Sequence, residues 1–252
     1  MQTIRIGIIG AGQNTRKTHI PNLQELPGVE ITEVANRTLE SGQKAAAEFN
    51  IPAVKSHWQA VAASKNVDAV VIGTWPYLHR EATCLALESG KHVLCEARMA
   101  MNASEAHTML CAARARPELI AQIVPAPHTL AFDQTINELI ADGCIGDLVA
   151  IDARITGGSD FPQWDSPLHW RHDQDLTGSN IMSMGIWYEA IMRLVGPATR
   201  VMAMTKVNVP RRKDDNGVMR TISIPDHVNI LYELANGAQV HMRMSATTGL
   251  ST

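Results

Sequence analysis

A short apolar run followed by two closely spaced glycines opens the chain: Ile4-Arg5-Ile6-Gly7-Ile8-Ile9-Gly10-Ala11-Gly12-Gln13-Asn14-Thr15. The apolar run predicts a buried strand, and Thr18–Glu25 behind it has the spacing of a helix. Glycines between two such elements allow a tight turn and let the backbone approach a pyrophosphate at the helix N-terminus. The pattern therefore predicts a dinucleotide-binding loop, although Thr15 stands where a third glycine is usual. The candidate cofactor-binding residues of this loop are Gly10, Gly12, Gln13, Asn14 and Thr15.

The first half of the chain repeats this alternation of strand and helix, which predicts a parallel, doubly wound α/β sheet of the Rossmann type. The predicted strands are short and rich in Val and Ile: Ile4–Ile9, Val29–Ala35, Ala69–Thr74, His92–Cys95 and Leu119–Val124. The predicted helices that follow are Leu39–Phe49, Trp58–Ala63, Arg80–Ser89 and Ser104–Ala115. Asn102, with Glu105 three residues later, has the pattern of a helix capping pair.

The pattern changes after Val124, where Pro125-Ala126-Pro127 interrupts the alternation. We therefore predict a nucleotide-binding domain over residues 1–124 and a second, α+β domain over residues 125–252. Its predicted helices are Leu130–Ala141 and Ile181–Val195, and its predicted strands are Leu148–Thr156, Arg200–Val209, His227–Leu234 and Ala238–Ser245. Asn236-Gly237 predicts a two-residue hairpin turn, since both residues tolerate positive φ, so this sheet is at least partly antiparallel. Arg211-Arg212-Lys213, beside Asp214–Gly217, predicts an exposed charged loop.

The residues after the second strand bear on the choice of cofactor. An acidic residue there would bind the ribose hydroxyls of NAD, but the sequence has Asn36-Arg37-Thr38. A carboxylate would repel a 2′-phosphate, whereas Arg37 can pair with it. Asn36 and Arg37 are therefore candidate cofactor-binding residues, and NADP is favoured over NAD.

Composition excludes several classes of protein. The chain has 252 residues with 22 Lys+Arg and 25 Asp+Glu, a formal charge of −3, which does not favour nucleic-acid binding. No segment approaches the roughly 18 consecutive apolar residues of a membrane span, and the opening run is too short for a signal peptide. The four cysteines lie far apart, and no metal site is expected. We predict a cytoplasmic protein with reduced thiols.

Three further motifs give the chain a family resemblance. They are His19-Ile20-Pro21, Asp68–Thr74 with His79, and Gly90-Lys91-His92-Val93-Leu94-Cys95-Glu96. With these residues the chain resembles the Gfo/Idh/MocA family, named after glucose-fructose oxidoreductase and inositol dehydrogenase. The resemblance implies a nucleotide-binding domain followed by an open, mainly antiparallel sheet, and a sugar, polyol or related alcohol as substrate. It also implies that the nicotinamide end of the cofactor is lined by Thr74, Trp75, Pro76, His79 and Glu96.

The usual catalytic residues of that family do not carry over. Relatives read Glu-Lys-Pro where this chain has Glu96-Ala97-Arg98, and the family's Asp-x-Gly-x-His aligns with Ser183-Met184-Gly185-Ile186-Trp187. Hydride transfer from an alcohol needs a group that takes the hydroxyl proton, and neither Ala97 nor Trp187 can do so. Arg98 can orient a substrate or stabilise an alkoxide, but it is too basic to accept a proton. The candidate replacements are Tyr188 and Glu189, for which a structural role is an equal alternative.

A second polar and aromatic cluster spans Ser166–Asp173 and leads into Thr177-Gly178-Ser179-Asn180. The resemblance implies that a Trp-Arg pair and a Gly-rich turn at this place approach substrate and cofactor. Trp170 offers a flat apolar face for sugar C–H groups, Arg171 can donate two hydrogen bonds, and His169 or His172 could take a proton. A surface loop whose tryptophan covers the sheet is an equal alternative. The candidate substrate residues are Trp170, Arg171, His172, Asn180 and Trp187.

The sequence leaves three functions open. The leading hypothesis is an NADP- or NAD-dependent oxidoreductase with a sugar-like substrate. The absence of both catalytic residues instead favours a dinucleotide-binding regulator or partner subunit without turnover. A third hypothesis is an enzyme that retains NAD and cleaves a glycoside by transient oxidation.

The second domain is short in comparison with the family that the chain resembles. Its open sheet face, with Met and Val on strands such as Val201–Val207 and Val240–Met244, predicts a homo-oligomer formed through that sheet.

Overall fold

The computed structural model describes residues 3–128, 131–156, 165–179 and 184–248, and the chain divides into two compact units at residues 1–124 and 125–252. Each unit has its own sheets and its own apolar core. No helix in the described ranges is long and apolar enough to cross a bilayer.

The first unit is a six-stranded parallel sheet with helices on both faces. Its strands lie in the order 3-2-1-4-5-6 and are β1 (Ile4–Ile9), β2 (Val29–Ala35), β3 (Ala53–Val54), β4 (Ala69–Ile72), β5 (His92–Cys95) and β6 (Ala121–Ile123). A π-helical turn at Thr15–His19 continues into α1 (Ile20–Gln24), and the other helices are α2 (Leu39–Phe49), α3 (Trp58–Ala62), α4 (His79–Glu88) and α5 (Ala103–Arg114). The predicted Rossmann-type sheet is confirmed. Its strand order reverses between β1 and β4, where such sheets bind ligands beyond the carboxyl ends of the strands.

Two apolar cores cover the two faces of this sheet. Ile8 belongs to the core with Ile20 of α1, and Ile9 belongs to the core with Leu87 of α4. Because successive strand residues point to opposite faces and both faces are covered, these strands are apolar at nearly every position. The predicted cap is also confirmed, since Asn102 Oδ1 accepts the N–H of Glu105 at 3.0 Å at the start of α5.

The second unit contains a mixed four-stranded sheet in the order β7-β12-β11-β8. Its strands are β7 (Ala150–Thr156), β8 (Ala198–Lys206), β11 (His227–Leu234) and β12 (Gln239–Ser245), and its helices are α6 (Asp133–Ala141), α7 (Gln174–Thr177) and α8 (Met184–Val195). Strands β8, β11 and β12 pair antiparallel, and β7 joins β12 in parallel. The predicted mainly antiparallel sheet is confirmed. A separate antiparallel ribbon is formed by β9 (Arg211–Lys213) and β10 (Met219–Thr221).

Two local predictions for the second unit are wrong. β11 and β12 form the predicted antiparallel hairpin, but four residues separate the two strands and not two. The predicted exposed charged loop is instead the β9–β10 ribbon, in which Arg212 is 6% exposed. Alternation along β9 explains this, because it turns the middle residue inward while Arg211 and Lys213 stay exposed.

Helix α8 covers one face of the four-stranded sheet. Val240, Met242 and Met244 are buried in the core to which Trp187 and Tyr188 also belong. The prediction that the Met and Val residues of Val240–Met244 lie on the open face of the sheet is therefore wrong. Met202 is 66% exposed and Leu231, its partner in the ladder, is 50% exposed.

Candidate functional site

A cavity of about 410 Å³ lies at the carboxyl ends of β1, β2 and β4, where the strand order reverses. It is lined by the glycine loop, by residues after β2 and by residues after β4. Among them are Gly10, Gly12, Asn36, Arg37, Thr74 and Trp75. The structure thus brings together predicted cofactor residues from three separate segments of the chain.

Close packing beneath the loop explains two glycines. Gly10 has a φ of 86°, and a Cβ there would lie 2.6 Å from Thr74 Cγ2. A Cβ on Gly73 would overlap Thr15 Oγ1 and would lie 2.6 Å from Gly10 O. Thr15 is therefore accommodated in place of a third glycine because Gly73, at the end of β4, leaves room for it. Sequence reasoning missed Gly73, although a glycine directly after a buried strand is a signal for close backbone approach.

Gly12 differs from these two glycines. A Cβ at Gly12 would lie 3.5 Å from Gly73 O, which is an ordinary van der Waals contact. The packing of the protein therefore does not require a glycine there. The missing side chain instead keeps the loop open towards the cavity, as the approach of a pyrophosphate requires.

Asn36 and Arg37 have different roles at the end of β2. Asn36 Oδ1 accepts the N–H of Ala11 at 2.7 Å, and its Nδ2 donates to Ser41 O at 3.0 Å. Asn36 therefore ties the glycine loop to α2. Arg37 is exposed, and its guanidinium carbon lies 5.5 Å from the centroid of the Trp75 ring. Arg37 and Trp75 thus line the cavity from the ends of two different strands.

The end of β5 carries a hydrogen-bonded carboxylate. Glu96 Oε1 lies 2.6 Å from His19 Nε2 and also accepts from Asn14 Nδ2, and Glu96 Oε2 accepts the N–H of Ala97 at 3.1 Å. Burial alone would raise the pKa of Glu96, but the bonds from His19 and Asn14 outweigh it and bring the pKa below its ordinary value. Glu96 is therefore ionised at neutral pH and ties the turn after β5 to the helix of the glycine loop.

His79 is fully buried and links the turn after β4 to the turn after β5. Its Nε2 lies 2.9 Å from Thr74 O, and its Nδ1 lies 2.8 Å from Arg98 O. Burial lowers the pKa of His79, while these carbonyls and the charge of Glu96 act in the opposite direction. The imidazole therefore has a positioning role, since it joins two turns and is not itself exposed at the surface. Pro76, which starts a 3₁₀ turn at Pro76–Leu78, is buried as well.

Glu189 belongs to an ion-pair network in the second unit. Arg193, one turn later on α8, donates to Glu189 at 2.7 Å, to Asp133 at 2.8 Å and to the carbonyl of His128 at 2.8 Å. The second carboxylate oxygen of Glu189 accepts the N–H of Ala126 at 3.1 Å. Both carboxylate oxygens of Glu189 therefore help to hold residues 126–128 against α8. This favours a structural role for Glu189.

Tyr188 faces the core of the second unit. Its hydroxyl accepts the N–H of Ala198 at 3.0 Å, and its ring meets the Tyr232 ring edge-on with centroids 5.9 Å apart. These contacts fix the middle of α8 against the sheet. They favour the structural interpretation of Tyr188 as well.

Trp187 carries a stacked imidazole. The His128 and Trp187 rings lie 3.9 Å apart at their centroids, with planes 6° apart. Within the described ranges, neither ring nitrogen of His128 makes a hydrogen bond. Sequence reasoning missed His128, because it follows Pro125-Ala126-Pro127 outside any periodic element, and only the fold brings it to Trp187.

The predicted substrate segment forms a 3₁₀ turn at Trp170–His172, followed by α7. His169 donates its N–H to His172 Nδ1 at 3.1 Å, and His169 Nδ1 accepts the N–H of Arg171 at 3.3 Å. The Arg171 guanidinium lies 4.4 Å from the centroid of the Trp170 ring. The predicted residues are thus held together locally, except for Asn180, which lies outside the described residues.

Family models match both units. Residues 4–122 match the NAD-binding Rossmann-fold domain of an oxidoreductase family, and residues 134–251 match the C-terminal domain of the same family. The chain belongs to the Gfo/Idh/MocA family of NAD-binding oxidoreductases, which confirms the resemblance seen in the sequence.

Individual relatives within this family are moderately similar. The chain is 28% identical over 223 residues to trans-1,2-dihydrobenzene-1,2-diol dehydrogenase of Mus musculus, a match covering 88% of this chain and 64% of that protein. It is 30% identical over 187 residues to dTDP-3,4-didehydro-2,6-dideoxy-α-D-glucose 3-reductase of Streptomyces violaceoruber, covering 74% of this chain and 53% of that protein. These matches thus span less than two thirds of the length of either relative.

Solved structures share the fold of the whole chain. Levoglucosan dehydrogenase, in complex with NADH and L-sorbose, superposes with a TM-score of 0.81 at 21% sequence identity. The match covers 98% of this chain and 68% of the levoglucosan dehydrogenase chain.

Proposed function

We propose that the protein is an NAD(P)-dependent oxidoreductase that interconverts the alcohol and ketone forms of a sugar-like substrate. The observation that carries this proposal is the cavity at the reversal of strand order, with Gly12 open towards it and Arg37 and Trp75 in its lining. Two relatives, a diol dehydrogenase and a nucleotide-sugar reductase by name, support this substrate class.

The residues of the first unit fit a dinucleotide. Gly10 and Gly12 would let the backbone approach the pyrophosphate, and the helix behind the loop offers its first N–H groups. Thr74 would meet the nicotinamide half, and the Trp75 ring, which lies against Arg37, would pack at the adenosine half. Asn14, His79 and Glu96 hold the surrounding turns in place. The bound cofactor would supply the hydride donor or acceptor.

Arg37 favours NADP over NAD. The described lining of the cavity contains Arg37, Ser41 and Ser56 as donors and no Asp or Glu. A 2′-phosphate there would gain charge-assisted hydrogen bonds without meeting a carboxylate.

Fluorescence titration with NADPH and NADH tests this preference. We expect NADPH to bind the wild type more tightly, and Arg37→Met to weaken NADPH binding about tenfold while NADH binding changes little. Arg114→Met, at the exposed end of α5, is the matched control. An equal loss of affinity for NADPH and NADH in Arg37→Met would contradict a contact between Arg37 and the 2′-phosphate.

His128 is our candidate for the group that takes the hydroxyl proton. Tyr188 and Glu189 are engaged in structural contacts, and Arg98 is too basic to accept a proton. Stacking on Trp187 fixes the plane of the His128 ring, and Arg193 fixes its backbone. An imidazole held in this way, whose nitrogens make no hydrogen bond to the part of the chain that the structure describes, is suited to general acid–base catalysis. His169 and His172 are the remaining candidates, to be separated from His128 by mutation.

A panel of sugars, polyols and keto-sugars with NADP, NADPH, NAD and NADH tests the activity itself. We expect cofactor oxidation or reduction with at least one member. A silent panel from a protein that binds the cofactor would contradict the proposal and favour a dinucleotide-binding regulator.

We also propose a homo-oligomer that covers the open face of the four-stranded sheet. Met202, Met204 and Leu231 are 66%, 77% and 50% exposed on that face. Light scattering of the wild type and of Met202→Lys tests this proposal. A monomeric wild type would contradict it.

A further inference from the structure

A histidine in the wall of the nucleotide cavity has no part in the contacts described so far. His57 follows β3 and lines the cavity together with Arg37, Ser56 and Trp58. It is exposed, and its ring makes no hydrogen bond to any residue in the described ranges. Both ring nitrogens are therefore free to meet a ligand in the cavity.

His57 stands at the N-cap of α3 but does not cap it. Its backbone is extended, with a φ of −137° and a ψ of 143°, and its side chain accepts no N–H of the helix. The N-caps of α2 and α5 in the same unit, Thr38 and Asn102, both accept such a bond. Ser, Thr, Asp and Asn are the residues that stabilise this position. The stability of α3 therefore does not explain why a histidine stands there.

The pairing of β2 with β3 brings His57 towards Arg37. Val34 pairs with Val54 at the end of the ladder, and the N–H of Lys55 donates to Val34 O at 2.9 Å. The same register, continued past the ladder, sets His57 level with Arg37. Because neighbouring strands lie about 4.8 Å apart, two side chains at this level can reach one phosphate group.

The charge of a 2′-phosphate exceeds what Arg37 can neutralise. A phosphate monoester carries about −1.5 to −2 at neutral pH, and Arg37 is the one Lys or Arg in the described lining of the cavity. Lys55 lies close by, but its Nζ is 3.3 Å from Glu33 Oε1 and is engaged there. His57 is the other group of the lining that can carry a positive charge.

We propose that His57 is a second ligand of the 2′-phosphate of NADP and that, with Arg37, it sets the preference for NADP over NAD. The Trp75 ring, 5.5 Å from the guanidinium carbon, steadies Arg37. The guanidinium donates to two phosphate oxygens and the imidazole donates an N–H to the third. This inference rests on the proposed binding of NADP and adds to it a contact from the end of β3.

Fragments of the cofactor test the proposal without any turnover. Calorimetric titration of the full chain compares adenosine 2′,5′-bisphosphate with adenosine 5′-monophosphate, which lacks only the 2′-phosphate. We expect the wild type to bind the bisphosphate about tenfold or more tightly. His57→Ala should weaken the bisphosphate about fivefold and leave the monophosphate unchanged. An equal loss for both fragments would show a contact with the adenosine instead, and no loss for either would show no contact. Each of these results would overturn the proposal.

Reversal of the charge separates phosphate binding from the capping of α3. His57→Asp and His57→Asn both supply a capping side chain, so neither should lower the Tm. Only His57→Asp places a carboxylate beside the 2′-phosphate, so it should bind the bisphosphate about tenfold more weakly than His57→Asn does, with equal affinity for the monophosphate. His107→Ala, at an exposed histidine of α5, is the matched control. The same bisphosphate affinity in the Asp and Asn variants would show that the 2′-phosphate lies elsewhere and would overturn the proposal.

Arg37 and turnover separate this inference from the proposed function. A preference for the bisphosphate that is lost in Arg37→Met but unchanged in His57→Ala would remove His57 and leave the binding of NADP in place. A preference that depends on His57, in a protein without any reaction with NADP or NAD, would leave the phosphate site standing and remove the oxidoreductase.

Discussion

The imidazole of His128 lies parallel to the indole of Trp187, 3.9 Å from it, while the carbonyl of His128 accepts a hydrogen bond of 2.8 Å from Arg193. Ring and backbone are thus both fixed by α8. A side chain held in one orientation loses little conformational freedom when it meets a substrate.

We expect His128→Asn to lower kcat by roughly 10²- to 10⁴-fold, the usual contribution of a general acid–base group. The limb of the pH–rate profile that reports the titration of the imidazole should be absent in this variant. The Kd of the cofactor should stay unchanged. His241→Asn, at a partly exposed histidine of β12, is the control. A full kcat in His128→Asn, or the same loss in the control, would exclude His128.

The two glycines of the nucleotide loop should respond differently to alanine. Gly10→Ala places a Cβ at positive φ and 2.6 Å from Thr74 Cγ2, so we expect a loss of about 2 kcal/mol in the free energy of unfolding. Gly12→Ala meets only an ordinary contact at 3.5 Å, so its Tm should stay near that of the wild type while cofactor affinity falls. Denaturation and cofactor titration on both variants check this. A strongly destabilised Gly12→Ala would show that packing, and not the ligand, requires that glycine.

Arg193 should matter for stability far more than Glu189. Arg193→Met leaves the carboxylates of Asp133 and Glu189 without their cation and frees the carbonyl of His128, so we expect a loss of about 3 kcal/mol. Glu189→Gln keeps an acceptor for Ala126 and should cost about 1 kcal/mol, with kcat nearly unchanged. Chemical denaturation and steady-state kinetics check both. A hundredfold loss of kcat in Glu189→Gln would restore Glu189 as the proton acceptor.

The nucleotide-binding fold was predictable because its signals are local. Ile4–Ile9 and Val29–Ala35 are strands with the bounds that their apolar runs predict. Strand β3 was missed because Ala53–Val54 forms only two residues of ladder, too short for any period. Its pairing with β2 at Glu33 and Val34 comes from the tertiary structure.

The candidate sites were less predictable because their contacts are distant in sequence. The meeting of Thr15 with Gly73 and of His128 with Trp187 depends on how strands and helices pack, which no local pattern contains. Arg212 was placed in solvent because charged runs usually lie there. In the fold, β9 turns it inward onto Ser166.

Stability of the second unit should fall as the pH is lowered, because of His172. Burial, Arg212, His169 and Arg171 lower its pKa in the folded state to about 4 from 6.5, and Asp226 opposes them only in part. Between these values the unfolded chain binds the proton and the folded chain does not, so stability is complete above about pH 6.5 and is lost progressively towards pH 4. His172→Gln keeps an acceptor for the N–H of His169 but cannot titrate. As the pH falls through this window, the Tm of the wild type should therefore fall further than the Tm of His172→Gln. His79 is present in both proteins, so its own titration does not contribute to the difference. A difference in Tm that does not change with pH would show that His172 is not held neutral in the folded protein.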